Sequence, residues 1–177
     1  MRHTLISIAL IVIHSFFFSP QTASAIETGP HIGKLAPNFE LQNLIGKKVN
    51  LSEFRGKVVL LNFWATWCTT CTAELPALEK LHSAFEDQGF LVLTVSLDGR
   101  PDPVRAFLKK KGLSLIVLMD TEKEASFDLY AVMALPVSFL IDRDGLIVEK
   151  YLGERDWNSG EIKKRISDLL RNQGRKP

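Results

Sequence analysis

The sequence predicts an α/β fold, in which helices cover both faces of a central β-sheet. Apolar runs with the length and pattern of buried strands recur along the chain. Stretches with apolar residues three and four positions apart, typical of helices, lie between these runs. The chain then ends with a hairpin signal and one amphipathic helix. Such an alternation of strands and helices is typical of a sheet with helices packed on it.

The sequence pattern predicts four elements in the first half of the domain. An alternating apolar pattern that is interrupted by a turn predicts an N-terminal β-hairpin. A run that is apolar at all positions except Asn62 predicts a central strand, buried on both faces. A helix with one apolar face follows and is terminated by Gly89, and a second buried strand comes next. These elements lie at residues 37–51, 58–63, 71–88 and 90–97.

The sequence pattern predicts six elements in the second half of the domain. A short helix ends in three lysines, which suit the negative end of its dipole, and Gly112 closes it. A third strand and a second crossover helix follow. Two strands flank the turn at 142–145, a strong hairpin signal, and an amphipathic helix completes the domain. These elements lie at residues 104–111, 115–118, 122–132, 137–141, 146–151 and 162–170.

Residues 1–25 are predicted to be a secretory signal peptide. An arginine precedes an apolar run from Leu5 to Phe18, and Ala23-Ser24-Ala25 matches a cleavage pattern. The run is shorter than the roughly 20 residues that span a bilayer, so a membrane anchor is disfavoured. We therefore expect a periplasmic or otherwise extracytoplasmic protein, in a compartment where disulfides form.

The remaining chain is long enough for one domain. We expect a flexible leader at 26–34, the domain at 35–171 and a polar tail at 172–177. The formal net charge of the whole chain is only +2, which gives no electrostatic reason to expect a nucleic-acid partner.

The two cysteines of the chain are the chemically informative residues. Cys68 and Cys71 are separated by two residues and lie where the central strand runs into a helix. Backbone N–H groups and the positive end of the helix dipole favour a thiolate at the first cysteine. We therefore interpret Cys68 as the attacking thiolate and Cys71, one turn further on, as the thiol that resolves a mixed disulfide.

Two other interpretations of the pair are weaker. A structural disulfide between residues so close in sequence stabilises by only roughly 2 kcal/mol of chain entropy, and a domain of this size builds its own core. A zinc site needs about four ligands, but beyond the signal peptide only His31 and His82 add to the cysteines. The two aspartates in the turn at 142–145 lack the spacing of an EF-hand, so no metal is expected.

The chain resembles the thioredoxin fold and, within it, the TlpA/ResA-like group of exported thiol–disulfide oxidoreductases. Three motifs over roughly residues 34–171 carry the resemblance: the opening Lys34–Phe39, the signature Phe54–Cys71 and the strand Leu135–Asp142. The resemblance implies a mixed sheet with an extra strand-and-helix unit at 115–132.

The resemblance also implies how the protein works. A cis bond before Pro136 would place the backbone of Leu135 opposite the cysteines, where it binds a substrate strand. The expected activity is reduction of disulfides in other exported proteins. No bound cofactor is required, and a membrane electron donor of the DsbD/CcdA type re-reduces the dithiol.

At the site the chain departs from related families at Asn62 and at Val137-Ser138, and it matches ResA-like proteins at Glu74. Asn62 stands where thioredoxin has a buried aspartate, whereas Glu74 stands where ResA-like proteins have a carboxylate near the resolving thiol. Glu74 is therefore either the base that takes the Cys71 proton or an exposed glutamate favoured by the helix dipole. Val137-Ser138 replaces the Glu-Thr of dedicated cytochrome c maturation reductases, which weighs against a role restricted to cytochromes c.

Trp64 and Trp67 lie just before the cysteines. They either pack in the core or shield the disulfide and offer substrates an apolar surface, and Trp67 is the candidate for substrate binding.

Three other activities remain as alternatives. A peroxidase of the peroxiredoxin type expects Pro and Thr where this chain has Leu61 and Ala65, and a peroxide-turnover assay separates the two. A copper-delivery protein on the same fold uses a cysteine pair one residue further apart and a distal histidine, and copper titration tests it. A thiol oxidase of the DsbA kind needs a strongly stabilised thiolate, so it differs in reduction potential.

Overall fold

A computed structural model describes residues 29–171 of the protein. The predicted signal peptide, the first residues of the leader and the tail at 172–177 lie outside the described residues.

Within this range the chain forms strands, α-helices and short helical turns in the predicted order. The strands are β1 (Glu40–Asn43), β2 (Lys48–Asn50), β3 (Val58–Trp64), β4 (Phe90–Ser96), β5 (Ile116–Met119), β6 (Val137–Ile141) and β7 (Ile147–Leu152). The α-helices are α1 (Thr69–Phe85), α2 (Pro101–Lys111) and α3 (Gly160–Arg171). Short 3₁₀ turns at Leu51–Phe54 and Glu86–Gln88 precede β3 and β4.

Across residues 29–171 the seven strands form one mixed sheet with the order β2-β1-β5-β4-β3-β6-β7. Strands β3, β4 and β5 are parallel, so their carboxyl ends meet at one edge of the sheet. Strands β1 and β2, and likewise β6 and β7, form antiparallel hairpins, as predicted. The β3 strand lies between β4 and β6 and is buried along its whole length, which confirms the prediction of a central strand.

Side chains of β3 alternate between the two faces of the sheet, and each face carries its own apolar cluster. The odd-numbered residues 59–63 lie on one face, and the even-numbered apolar residues, ending at Trp64, lie on the other. The buried apolar residues of α1, α2 and α3 all belong to the Trp64 cluster. The opposite face is covered by the N-terminal stretch and the chain before β6, with Phe39 and Tyr130 among the buried residues. Helical structure therefore lies on both faces of the sheet: α1, α2 and α3 cover one face, and the short segment before β6 lies on the other.

The prediction of a regular crossover helix over 122–132 is wrong in its length and its type. A π-helical segment, Glu124–Leu129, stands there between two residues with left-handed backbone, Lys123 and Ala131. The buried carboxylate of Asp120 accepts hydrogen bonds from the backbone N–H groups of Ala125, at 3.3 Å, and Ser126, at 2.7 Å. This side chain satisfies donors at the start of the segment as an N-cap does.

The hairpin between β6 and β7 requires its glycine. Gly145 has φ of +81°, and a Cβ atom there would lie 0.8 Å from Nη1 of Arg55. The left-handed backbone conformation therefore strains any side chain at this turn, whereas the exposed Arg55 side chain can move aside.

None of the helices in the described range is long and apolar enough to cross a membrane.

Candidate active site

The two cysteines lie at the edge of the sheet where β3 ends. Cys68 is the N-cap of α1, and Cys71 lies in its first turn. Their sulfurs form a disulfide with an S–S distance of 2.02 Å and a Cα–Cα distance of 5.3 Å. Cys71 is fully buried, whereas Cys68 is half-buried. A sulfur on another protein can therefore reach Cys68 more easily than Cys71.

Hydrogen-bond donors surround the Cys68 sulfur. The backbone N–H of Cys71 donates to Cys68 Sγ at 3.2 Å, and the Thr70 hydroxyl lies 3.5 Å from it. In the reduced protein, donors at a helix N-terminus stabilise a thiolate more than a thiol. The geometry therefore suits the nucleophile predicted at Cys68.

A buried carboxylate holds the loop that leads into Cys68. Asp98, which follows β4, accepts the Thr66 backbone N–H at 2.9 Å and the Thr66 hydroxyl at 2.5 Å. The Ser96 hydroxyl donates to the same carboxylate at 2.8 Å. The loop before the nucleophile is thereby attached to the neighbouring strand.

An apolar groove of about 480 Å³ lies beside Cys68. Trp67 forms one wall and is 67% exposed, so for this tryptophan the core-packing interpretation is wrong. Phe127 and Met133 add exposed apolar surface. Of the described residues that line the groove, Lys123 alone carries a charge.

The predicted proline strand lies at the same groove. The bond between Leu135 and Pro136 is cis, as the resemblance implied. Leu135 lines the groove together with Cys68, and Pro136 is buried directly before β6. The structure thus brings Trp67, Leu135 and Cys68 to one surface.

Glu74 lies on the buried side of α1 and is only 4% exposed. Its Oε1 accepts a hydrogen bond from Asn62 Nδ2 at 3.0 Å, and its Oε2 accepts one from Trp157 Nε1 at 3.0 Å. The interpretation of Glu74 as an exposed first-turn glutamate is therefore wrong. Burial raises the pKa of Glu74, while its bonds to Trp157 and Asn62 act in the opposite direction.

The Asn62 amide links Glu74 to the proline strand. Asn62 Nδ2 also donates to Ser138 Oγ at 2.9 Å, and Ser138 lies two residues after Pro136. Asn62 Oδ1 is buried and has no hydrogen-bond partner among the described residues. The position that carries an aspartate in thioredoxin thus carries an amide that donates to a neighbouring carboxylate.

Two residues of this arrangement were not found from the sequence. Trp157 follows β7 in a polar stretch without a motif, and Asp98 stands in a loop that has the composition of an ordinary turn. Trp64, in contrast, is fully buried in the cluster below α1, as its core-packing interpretation expects.

Comparisons with known proteins agree with this geometry. Residues 32–150 match the AhpC/TSA family. The chain belongs to this family. The thiol-disulfide oxidoreductase ResA of Bacillus cereus is 40% identical over 124 residues, which cover 70% of this chain and 71% of that protein. The thioredoxin-like protein YneN of Bacillus subtilis is 39% identical over 135 residues, covering 75% of this chain and 78% of that protein.

Solved structures share the fold of this AhpC/TSA family member. A candidate thiol:disulfide interchange protein DsbE from Chlorobium tepidum superimposes with a TM-score of 0.73 and 32% identity, covering 80% of this chain and 99% of that one. The thioredoxin domain of a thiol-disulfide oxidoreductase from Bacteroides vulgatus has a TM-score of 0.69 and 28% identity, covering 78% and 98%. The predicted thioredoxin-like α/β fold is confirmed. With its Cys68–Cys71 pair, the chain is a thiol–disulfide oxidoreductase.

Proposed function

We propose that the protein is exported and reduces disulfides in other exported proteins. The observation that carries this proposal is the arrangement at Cys68: a half-buried sulfur at a helix N-terminus, beside an apolar groove, with its partner sulfur buried behind it. Export is supported by the signal-peptide pattern of residues 1–25.

The first step is attack on the client. In the reduced protein the Cys68 thiolate attacks one sulfur of a client disulfide, so that an S–S bond forms to Cys68 while the client bond breaks. The other client sulfur leaves as a thiolate and takes a proton from solvent. Trp67, Leu135 and Pro136 bind the client segment: Trp67 offers apolar contact area, and the backbone at Leu135 pairs with it as an added strand.

The second step returns the protein to the disulfide form present in this structure. Cys71 gives its proton to the Glu74 carboxylate, and its thiolate attacks Cys68 Sγ. The mixed disulfide breaks, and the second client sulfur leaves as a thiolate. Two electrons have then moved from the dithiol to the client. Burial raises the pKa of Glu74, which makes it a better proton acceptor than an exposed glutamate.

The dithiol carries the electrons, so the reaction needs no bound cofactor. A membrane protein of the DsbD/CcdA type supplies two electrons through its own dithiol and regenerates the reduced form. The reduction potential of the Cys68–Cys71 pair tests the direction: a value near about −270 mV fits a reductase, whereas one near about −120 mV fits an oxidase.

Two serine variants test the division of roles between the cysteines. Cys68→Ser should abolish reduction of insulin, because it removes the nucleophile. Cys71→Ser should accumulate mixed disulfides with clients on non-reducing gels, because attack still occurs but resolution does not. The double variant is the control and should trap nothing. Full insulin reduction by Cys68→Ser, or equal trapping by both single variants, contradicts the assignment.

A further inference from the structure

Trp157 reaches Glu74 from a distant part of the chain. It lies between β7 and α3, 83 residues after Glu74, and is 1% exposed. The Tyr151 ring packs against it edge to face, with ring centroids 5.4 Å apart. The indole therefore has a fixed orientation, with its N–H directed at Glu74 Oε2.

Beyond its two side-chain partners, Glu74 faces the loop after β7: the backbone of Arg155 lowers its pKa and the charge of Glu154 raises it. The two side-chain partners differ in what they can do. An indole N–H only donates, so Trp157 suits the ionised carboxylate. Asn62, the partner of Oε1, can either donate or accept, because an amide has a donor end and an acceptor end. Its acceptor, Oδ1, has no hydrogen-bond partner within residues 29–171. If the amide turns over, Oδ1 accepts a hydrogen bond from the carboxyl O–H of a protonated Glu74. Ser138, which both donates and accepts, bonds either end.

We propose that Trp157 is a positioning residue for proton transfer: it holds the Glu74 carboxylate in one orientation and favours its ionised form, ready to accept the Cys71 proton. Asn62 and Ser138 then accommodate the protonated form. The role assigned to Trp157 rests on the proposed role of Glu74 in resolving the mixed disulfide.

The chain offers a matched control for a test. Trp157 and Trp64 are both fully buried and belong to the same apolar cluster. Trp64 Nε1, however, has no hydrogen-bond partner among the residues described. Trp157→Phe and Trp64→Phe each remove an indole from this cluster, but only the first removes a donor to Glu74.

The first measurement is the titration of Glu74 in the oxidised protein, where neither cysteine titrates. The ¹³C resonance of its carboxyl group is assigned with Glu74→Gln and followed against pH. Trp157→Phe should move the midpoint to higher pH, because the ionised form has lost a donor. Trp64→Phe should leave the midpoint near the wild-type position. An unmoved midpoint in Trp157→Phe overturns the proposal.

A measurement on the wild-type protein covers the case in which Trp157→Phe does not fold. The indole N–H proton resonance of Trp157 should shift with pH at the midpoint of Glu74, whereas that of Trp64 should shift less. If the Trp157 resonance does not respond to the titration of Glu74, the hydrogen bond does not sense the proton and the proposal is overturned.

The last measurement connects the titration to the reaction. The rate at which the mixed disulfide is resolved should have a pH profile displaced to higher pH in Trp157→Phe, by the same shift as the Glu74 midpoint. In a Glu74→Gln background the same substitution should have no further effect on this rate. A moved midpoint with an unmoved rate profile also overturns the proposal. If the wild-type protein reduces no disulfide, the proposed function fails, and the titrations still report on Trp157.

Discussion

Replacing Trp67 by alanine should weaken client reduction selectively. About two thirds of its surface is exposed, which for a side chain that buries ~150–250 Å² leaves ~100–170 Å² for a client to cover. A client that covers half of that area gains about 1–2 kcal/mol at ~25 cal/mol per Å². We therefore expect kcat/KM for a protein disulfide to fall by roughly 5–30-fold, since 1.4 kcal/mol is about tenfold.

The assay compares two substrates and one control variant. Insulin reduction measures the protein substrate, and a small aliphatic disulfide, which cannot cover the indole, should show a much smaller loss. The control is Ile45→Ala, because Ile45 is 86% exposed but lies in the turn between β1 and β2, outside the groove. The reasoning is refuted if Trp67→Ala lowers kcat/KM for the small disulfide as much as for insulin. It is also refuted if Ile45→Ala lowers kcat/KM for insulin as much as Trp67→Ala does.

Two further predictions concern stability. Because the pKa of Glu74 is raised by burial, the folded protein binds more protons than the unfolded chain between the ordinary carboxyl range and the raised value. The free energy of unfolding of the oxidised protein should therefore decrease as pH rises through that window, and less so in Glu74→Gln; parallel curves in urea titrations contradict this. Asp120→Ala should cost about 1–3 kcal/mol, because it leaves two buried N–H groups unpaired. Asp120→Ala should also speed amide hydrogen exchange in Glu124–Leu129, whereas the control Asp102→Ala in α2 should not. Equal exchange rates in the two variants would show that Asp120 does not hold this segment.

Strands β3 and β4 were predictable because each is buried on both faces. The prediction at 58–63 falls within β3, and the one at 90–97 ends one residue beyond β4. A strand buried on both sides leaves a continuous apolar run, a signal that does not depend on distant residues. The prediction that Cys68 lies at the start of α1 also needed only local sequence, because the helix begins shortly after the apolar run of β3 ends.

The surroundings of Glu74 were not predictable in this way. Charged side chains are rarely buried, so the local expectation for Glu74 is exposure, and α1 begins early enough that Glu74 lies beyond its first turn. Its burial depends on Trp157, which packs over it from 83 residues away and leaves no periodic signal. The segment at 122–132 shows the same limit, since its π-helical form depends on the Asp120 carboxylate rather than on apolar spacing.

The bonds around Glu74 join elements from nearly the whole length of the domain: Asn62 in β3, Ser138 in β6 and Trp157 after β7. During synthesis the ribosome releases both thiols well before it releases the indole. A nascent chain therefore carries both thiols before Trp157 can donate to Glu74. A chain truncated before residue 157 would keep both sulfurs but lose this donor to Glu74.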